Sequence, residues 1–592
     1  MWSKILRWVI DFIMQTSEFM TRVQILFLSI IFSGIVFQSC TTRPAPDKDN
    51  GGLVLPNGFG ALVVVDSLPA VARHLTVNKN GDIYVKGRFD LEGGNNWALR
   101  DLNGDGKVDS IKNFGKFKRE GAYSTAMKIH NGYLYTSSEM LVYRYKLKTG
   151  ELIPTSDAEV IVVDSGARRE HNTKPIAFDN KGNIYVAFGA PSDACQEKNR
   201  IPSSPGMYPC PILDSNAGIW MFDESKLNQF RTSDGKKVAT GVRSVVGLDW
   251  NFQDNALYAV VHGRDNLHQT WSEYYSSWQN AVLPSEGFYK LLPGANVGWP
   301  YYYFDQMKGQ VMVNPEYGGD GNKVCTDSSI IKPAFGFPGH YAPNDLIFYT
   351  GDQFPERYKN GAFVALHGST IRSPYPQAGY FVAFIPFKDG KAQKMEVFAD
   401  GFAGQDTLVN TADAKYRPMG LSVGPDGSLY ISDSKKGKIW RVMYKGDRKK
   451  FSDKDLEGMR ARENRTNIKN PDPVLDNVER TMNIGKGEQL YNTYCRSCHQ
   501  GNGMGDGNRY PPLVNSEWVN GDKKRLISVL LKGLEGPIKV LGKEYNNVMP
   551  KFNFLNNEQL ADLMSHVRKS YSSNKGSVKK EEVENIRKLL EQ

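Results

Sequence analysis

Concentrated basic charge is missing from this 592-residue chain. Its 74 lysines and arginines, against 64 acidic residues, leave a net charge of +10. That is modest for the length, and the densest basic runs sit in a connecting segment and in the tail. No nucleic-acid-binding motif accompanies them, so that class of partner has no support. Cysteine is scarce too: with six residues, each has to be accounted for singly. The length implies two or more domains. A content of 40% hydrophobic residues, with 57 glycines and 30 prolines, describes a turn-rich globular protein.

Two of the cysteines stand in Cys495-Arg496-Ser497-Cys498-His499. This C-x-x-C-H pattern is the attachment signature of a covalent c-type haem. Two thiols three positions apart reach the two vinyl groups of one porphyrin, and the adjacent imidazole falls on the iron, where axial ligation is a main control on potential. The surroundings agree. Leu490, Tyr491 and Tyr494 lead in with helical spacing, and a glycine-rich loop from Gly501 to Gly507 follows with Pro511-Pro512-Leu513. An apolar run from Leu526 to Leu534 comes next, and Val548-Met549-Pro550 precedes a closing helix over Asn557 to Tyr571. His499 is the expected first axial ligand and Met549 the second. Met504, in the glycine loop, and Met564, at helical spacing from Leu560, compete for the second position. His/Met ligation raises the potential, which suits an electron acceptor. No acid–base cluster accompanies the motif, so the segment reads as an electron-transfer module. Over about residues 480–572 it resembles the small class I cytochrome c domains fused to dehydrogenases.

At the N-terminus, Arg22 precedes the apolar run Ile25 to Phe32, which ends at Ser39-Cys40. A small residue before cysteine at the end of a short apolar run is the pattern of a bacterial lipoprotein signal, to be set aside from fold reasoning. Met20 is a candidate true start, since Met20 to Cys40 is already a complete signal. An uncleaved anchor and a plain secretory signal are the alternatives. All three export the chain, and covalent c-haem implies assembly outside the cytoplasm. The expected location is the periplasmic side of a bacterial membrane, with Cys40 lipidated and multiple acyl chains giving a stable anchor. Export permits disulfides. Cys195 and Cys210 bracket a loop rich in proline, serine and glycine and are expected to pair, which leaves Cys325 as an odd, buried thiol.

From about 55 to 446 an apolar strand, a polar turn and a second strand ending in apolar-Tyr recur. The copies are Leu75 to Val85, Met127 to Tyr135, Ile176 to Val186, Leu248 to Tyr258, a longer Leu346 to Val364, and Leu421 to Ile431. Alternation at period two with Gly/Asn/Asp turns predicts antiparallel hairpins. Their recurrence at intervals of tens of residues predicts radial repetition, and six copies fit a six-bladed β-propeller. The fold class is therefore an all-β propeller followed by a small all-α domain.

The loops between these strands carry His171-Asn172, Gly241-Val242-Arg243-Ser244, His262-Gly263-Arg264-Asp265, Gly298-Trp299-Pro300, His340 to Pro343, His367-Gly368-Ser369 and Arg417-Pro418. Together they resemble the soluble glucose dehydrogenase and sorbosone dehydrogenase family, including its pyranose dehydrogenase branch, over about 390 residues. That resemblance implies pyrroloquinoline quinone (PQQ) and calcium as cofactors. PQQ is a flat tricarboxylate, and arginine forks match carboxylates. Arg243, Arg264, Arg372 and Arg417 are the expected PQQ contacts, with Arg73 a further candidate. Calcium would act as a Lewis acid on hard oxygen ligands that include backbone carbonyls. Oxidising a sugar hydroxyl requires a base, and His171 resembles the family's catalytic histidine. The chain departs from the family pattern at Thr370-Ile371-Arg372, where Trp-Asn-Arg is common, and at Ser244, where Asn is common. Asp101 to Asp109 resembles the start of a calcium loop, but Lys112 stands where its glutamate should be, and a polar hairpin is the better reading.

The resulting organisation is a signal at 1–40, a tether at 41–54, a propeller at 55–446, a linker at 447–480 with a short helix over Asp453 to Arg462, a cytochrome c domain at 481–572 and a charged helical tail at 573–592. Two functions fit. One is an exported quinoprotein that oxidises a sugar, aldose or polyol and passes electrons through its own haem to a downstream cytochrome or respiratory chain. The other is a non-catalytic carbohydrate-binding or redox-docking propeller, or a calcium-dependent lactonase-like hydrolase; the haem argues against hydrolysis, which needs no electron carrier.

Overall fold

The computed structural model describes residues 44–69, 71–88, 92–115, 125–164, 170–473, 485–507 and 509–591. The expectations for Met20, Cys40 and the 1–40 signal, and part of the expected linker, lie outside these residues. Each of the six sequence repeats forms the inner hairpin of one antiparallel sheet. Leu75 lies opposite Val85, Ile176 opposite Val186, Leu248 opposite Ala259 and Leu421 opposite Ile431. The turns need backbone that side chains resist, and Gly182 and Gly427 supply it, each with φ of 82°.

The six sheets are the blades of a propeller. Their first strands, Ala72–Val77, Met127–His130, Ile176–Phe178, Val245–Asn251, Pro343–Phe348 and Pro418–Val423, neighbour one another around the centre. Middle strands lose the in–out alternation because blades cover both of their faces. Ala362–Leu366 and Phe381–Ile385 are buried at every residue. The ring closes with strand Phe59–Val65, which pairs with Ile439–Tyr444 and completes the sixth blade from the other end of the chain. Phe59 anchors that closure, edge-on to Phe354 at 4.8 Å, Phe398 at 5.2 Å and Tyr358 at 5.4 Å.

The expected linker is docked over its described length. Ser452 and Asp455 form a capping box on the turn Asp453–Leu456, which continues into helix Glu457–Arg462. Met459 and Ile468 are buried among residues of the fourth and fifth blades, and Arg462 and Arg465 pair with Asp400 and Asp406. The segment carries charge along its outer side and apolar anchors beneath, which is why its composition reads as a linker.

The C-terminal domain is built on helices Lys486–Tyr494, Lys523–Lys532 and Asn557–Tyr571. The first and third cross closely because Gly487 sits against the Asp562 carbonyl, where a Cβ would lie 2.1 Å away. The tail forms helix Lys580–Glu591 and docks through Val583, Ile586 and Leu590, while Leu589 stays exposed. Cys195 and Cys210 are joined in a disulfide. Cys325, expected to be buried, is instead partly exposed, because it lies in a polar surface turn beside Asp327. The Asp101–Asp109 hairpin spends its carboxylates on its own backbone: Asp101 accepts from Asn103, Gly104 and Gly106, and Asp109 from Leu102. No helix among the described residues is long and apolar enough to cross a membrane.

Candidate functional site

A cavity opens beside the C-x-x-C-H helix, lined by Cys495, Cys498, His499, Met549, Tyr545 and Phe552 among others. His499 Nδ1 lies 3.0 Å from the Pro511 carbonyl. A carbonyl only accepts, so Nδ1 carries the proton and Nε2 keeps a lone pair, the arrangement of an oriented metal-ligating imidazole. Met549 is pinned by paired backbone hydrogen bonds with Leu534. Its rivals stand elsewhere: Met504 is half exposed and Met564 is fully buried in the helical core. Two free thiols, an oriented imidazole and a thioether around an apolar cavity fit covalent haem. Cys495 and Cys498 would hold the porphyrin, and His499 and Met549 the iron.

The opposite wall of this cavity belongs to the propeller. Arg200 and Pro202 come from the loop closed by the Cys195–Cys210 disulfide, and Asn266, Gln269 and Thr270 from the short helix Leu267–Thr270 and its N-cap. The domains also meet where Asn410 Nδ2 donates to the Gly505 carbonyl at 2.6 Å.

Behind that wall lies a network of buried charge. Arg243 donates to Asp193 at 2.5 Å, Asp265 at 3.0 Å and the Gly263 carbonyl at 2.6 Å. Arg264 pairs with Glu316, and Arg200 pairs with Glu170 at 2.8 Å and Asp265 at 3.2 Å. Burial would raise Asp265, but Arg243 and Arg200 outweigh it and hold the carboxylate below its usual range. Glu286, with no arginine ion-paired to it among the described residues, is pushed up to about 8 by burial.

His171 sits at the edge of this network. Its Nδ1 is 2.7 Å from the Ala190 carbonyl, so Nδ1 is the donor and Nε2 keeps its lone pair; Nε2 has no hydrogen-bond partner among the described residues. Burial, with the Arg243 charge adding to it, pushes its pKa down to about 4. The imidazole is therefore neutral near pH 7 and competent as a base. His262 and His340 are also held near 4 by burial, but each spends Nε2–H on a backbone carbonyl, Pro343 and Asn280 respectively. His367 accepts from Arg417 Nη2 at 2.9 Å and donates to Ser434 Oγ at 2.6 Å.

The four arginines expected to meet PQQ divide in two. Arg243 and Arg264 are already neutralised by Asp193, Asp265 and Glu316, none of which was singled out from the sequence as a partner. The Arg417 guanidinium hydrogen-bonds the His367 ring and the His367 and Gly368 carbonyls and lies over the Tyr380 ring at 5.8 Å; no carboxylate is ion-paired with it among the described residues. Arg372 is wholly buried, none of its guanidinium nitrogens makes a hydrogen bond among the described residues, and it lies over the Tyr341 ring at 5.7 Å. A buried, unpaired guanidinium is costly unless an anion completes it. Arg372 and Arg417 therefore fit a polycarboxylate such as PQQ, and Arg243 and Arg264 in this arrangement do not. No cluster of three His, Cys, Asp or Glu side chains poised for a metal ion occurs among the described residues.

The fold and these sites define a class of protein: a six-bladed propeller with a basic, histidine-bearing centre, joined to a c-type cytochrome domain. A family model described as TrAA12-like matches residues 53–281 and 300–445, and a cytochrome c model matches 484–570. The propeller match spans more than half of the chain, which belongs to the TrAA12-like family. An uncharacterized protein of Borreliella burgdorferi is 28% identical over 306 residues, 51% of this chain, and this chain spans 65% of that protein's length. Cytochrome c-552 of Thermus thermophilus is 38% identical over 93 residues, 15% of this chain and 70% of that protein. Among solved structures, the holo PQQ domain of pyranose dehydrogenase from Coprinopsis cinerea gives a TM-score of 0.53 at 18% identity, covering 66% of this chain and 97% of that one. A carbohydrate-active enzyme of family AA12 from Trichoderma reesei also gives 0.53, at 17% identity, covering 67% and 98%. At these identities the structural likeness establishes the propeller fold.

Proposed function

We propose that the chain is an exported, lipid-anchored dehydrogenase that oxidises a sugar, aldose or polyol with PQQ and delivers the electrons to its own haem c. One observation carries this reading: Arg200 lines the haem cavity and is ion-paired into the charge network that holds His171. A redox centre and a basic oxidation site thus share one residue. The family membership and the PQQ-binding structural neighbour support the same chemistry.

In this reading Arg372 and Arg417 hold the cofactor's carboxylates through charge-assisted hydrogen bonds. His171 Nε2 takes the substrate hydroxyl proton, while the Ala190 carbonyl and the Arg243 charge keep the ring in the required tautomer and charge state. Bound PQQ supplies the two-electron acceptor. Calcium, an expectation of the family resemblance, would use backbone carbonyls.

The test is the visible spectrum of the haem-loaded protein, followed at the band that sharpens on reduction. PQQ is added with and without calcium, followed by a panel of aldoses and polyols. Haem reduction that requires PQQ and one sugar class is the expected result. A haem that stays oxidised under every combination, with no PQQ uptake, would leave the carbohydrate-binding or redox-docking propeller as the reading.

A further inference from the structure

The propeller contributes more to the haem site than proximity. Arg200 has φ of 60°, a left-handed conformation that non-glycine residues avoid. Three features hold it there: the disulfide closing its loop, the Gln196 side chain accepting from its N–H at 2.8 Å, and the carboxylates of Glu170 and Asp265 on its guanidinium. The neighbouring Gln269 is 8% exposed and lines the same cavity, and its carboxamide oxygen, like that of Asn266, has no hydrogen-bond partner among the described residues. From the cytochrome side, Arg509, Tyr510 and Pro511 line the same cavity as Arg200, so the two domains meet across it.

We propose that the haem c site is a composite of both domains, and that Arg200 of the disulfide-closed loop is the positioning residue that raises the haem potential. The charge count gives the sign. Arg200, Arg243 and Arg264 face Glu170, Asp193, Asp265 and Glu316. Removing Arg200 makes this wall more negative and favours the oxidised haem. Removing the Glu170 charge does the reverse. In a low-dielectric site one uncompensated charge acts strongly, and burial and charge are established controls on haem potential.

The inference takes its purpose from the dehydrogenase reading, but its test does not depend on that reading. The haem-loaded full-length chain is titrated anaerobically with redox mediators, without PQQ or sugar, so the midpoint is readable even if no sugar ever reduces the haem. R200Q should lower the ferrous-to-ferric ratio at fixed poise about tenfold, equivalent to about 59 mV for one electron. E170Q should shift the midpoint upward, and R200K should stay near the parent value. Opposite shifts are the signature of charge at the haem wall. Midpoints that stay put in both R200Q and E170Q, or that move together, would overturn the proposal.

Discussion

The protonation of His171 gives the sharpest quantitative handle on the proposed chemistry. Burial and the Arg243 charge push its pKa down to about 4, and Glu170 and the Ala190 carbonyl offset this only in part. An ordinary imidazole, with a pKa of about 6.5, is only ~10% neutral at about pH 5.5. With a pKa near 4, His171 is ~97% neutral there. The acid limb of kcat/KM for sugar-driven haem reduction should therefore fall between about pH 4 and 5, and activity should be nearly flat from about pH 5.5 to 7. Replacing Arg243 by glutamine removes a positive charge and should move the limb upward. His171→Gln should cost about 10²- to 10⁴-fold in rate, ~3–5 kcal/mol of barrier, and leave the haem spectrum unchanged. The same shift has a stability consequence. The unfolded imidazole takes up a proton below about 6.5 while the folded one stays neutral to about 4, so stability falls as pH drops through that window. The full effect is about 3 kcal/mol, readable as a declining Tm in His171-containing protein and a flatter profile in His171→Gln. An acid limb near 6.5 in the parent protein, or one unmoved by removing Arg243, would refute the reasoning.

Three further outcomes follow from the geometry. Met549→Leu should leave the fold and the covalent haem intact but remove the axial sulfur, lowering the midpoint potential in a redox titration and changing the ferric spectrum. Arg372→Gln removes a buried cation without a hydrogen bond; it should raise the stability of the cofactor-free protein by ~1–3 kcal/mol in denaturant melts while weakening PQQ uptake, and a variant that is destabilised yet binds PQQ normally would contradict the assigned role. Phe59→Ala empties the aromatic cluster at the ring closure and should cost ~3–5 kcal/mol, seen as a lower Tm of the propeller with the haem band unaffected.

Much of this protein is written locally. C-x-x-C-H specifies a haem attachment site by covalent reach alone, and the helices around it announce themselves by spacing. The six hairpins are legible because strand alternation and Gly/Asn turns are short-range signals, and the copies at 75, 127, 176, 248, 346 and 421 each became an inner hairpin. Ring closure by Phe59–Val65 has no local signature, since its partner strand lies at the far end of the propeller and only the closed ring brings them together. Segment 447–473 reads as a polar linker because its few apolar anchors, Met459 and Ile468, are too sparse to show periodicity and matter only against the blades they meet. The arginines were visible as residue types, but their division was not. Whether a guanidinium is already neutralised depends on carboxylates such as Asp193 and Glu316, which stand 50 or more positions away in the chain. Residue type and spacing determined what chemistry this chain carries. Only the tertiary structure decided which charges remain available for a ligand, and that one loop arginine stands between the cavity at Cys495–His499 and the buried charge network of the propeller, because electrostatics depends on distance in space and burial rather than on order along the chain.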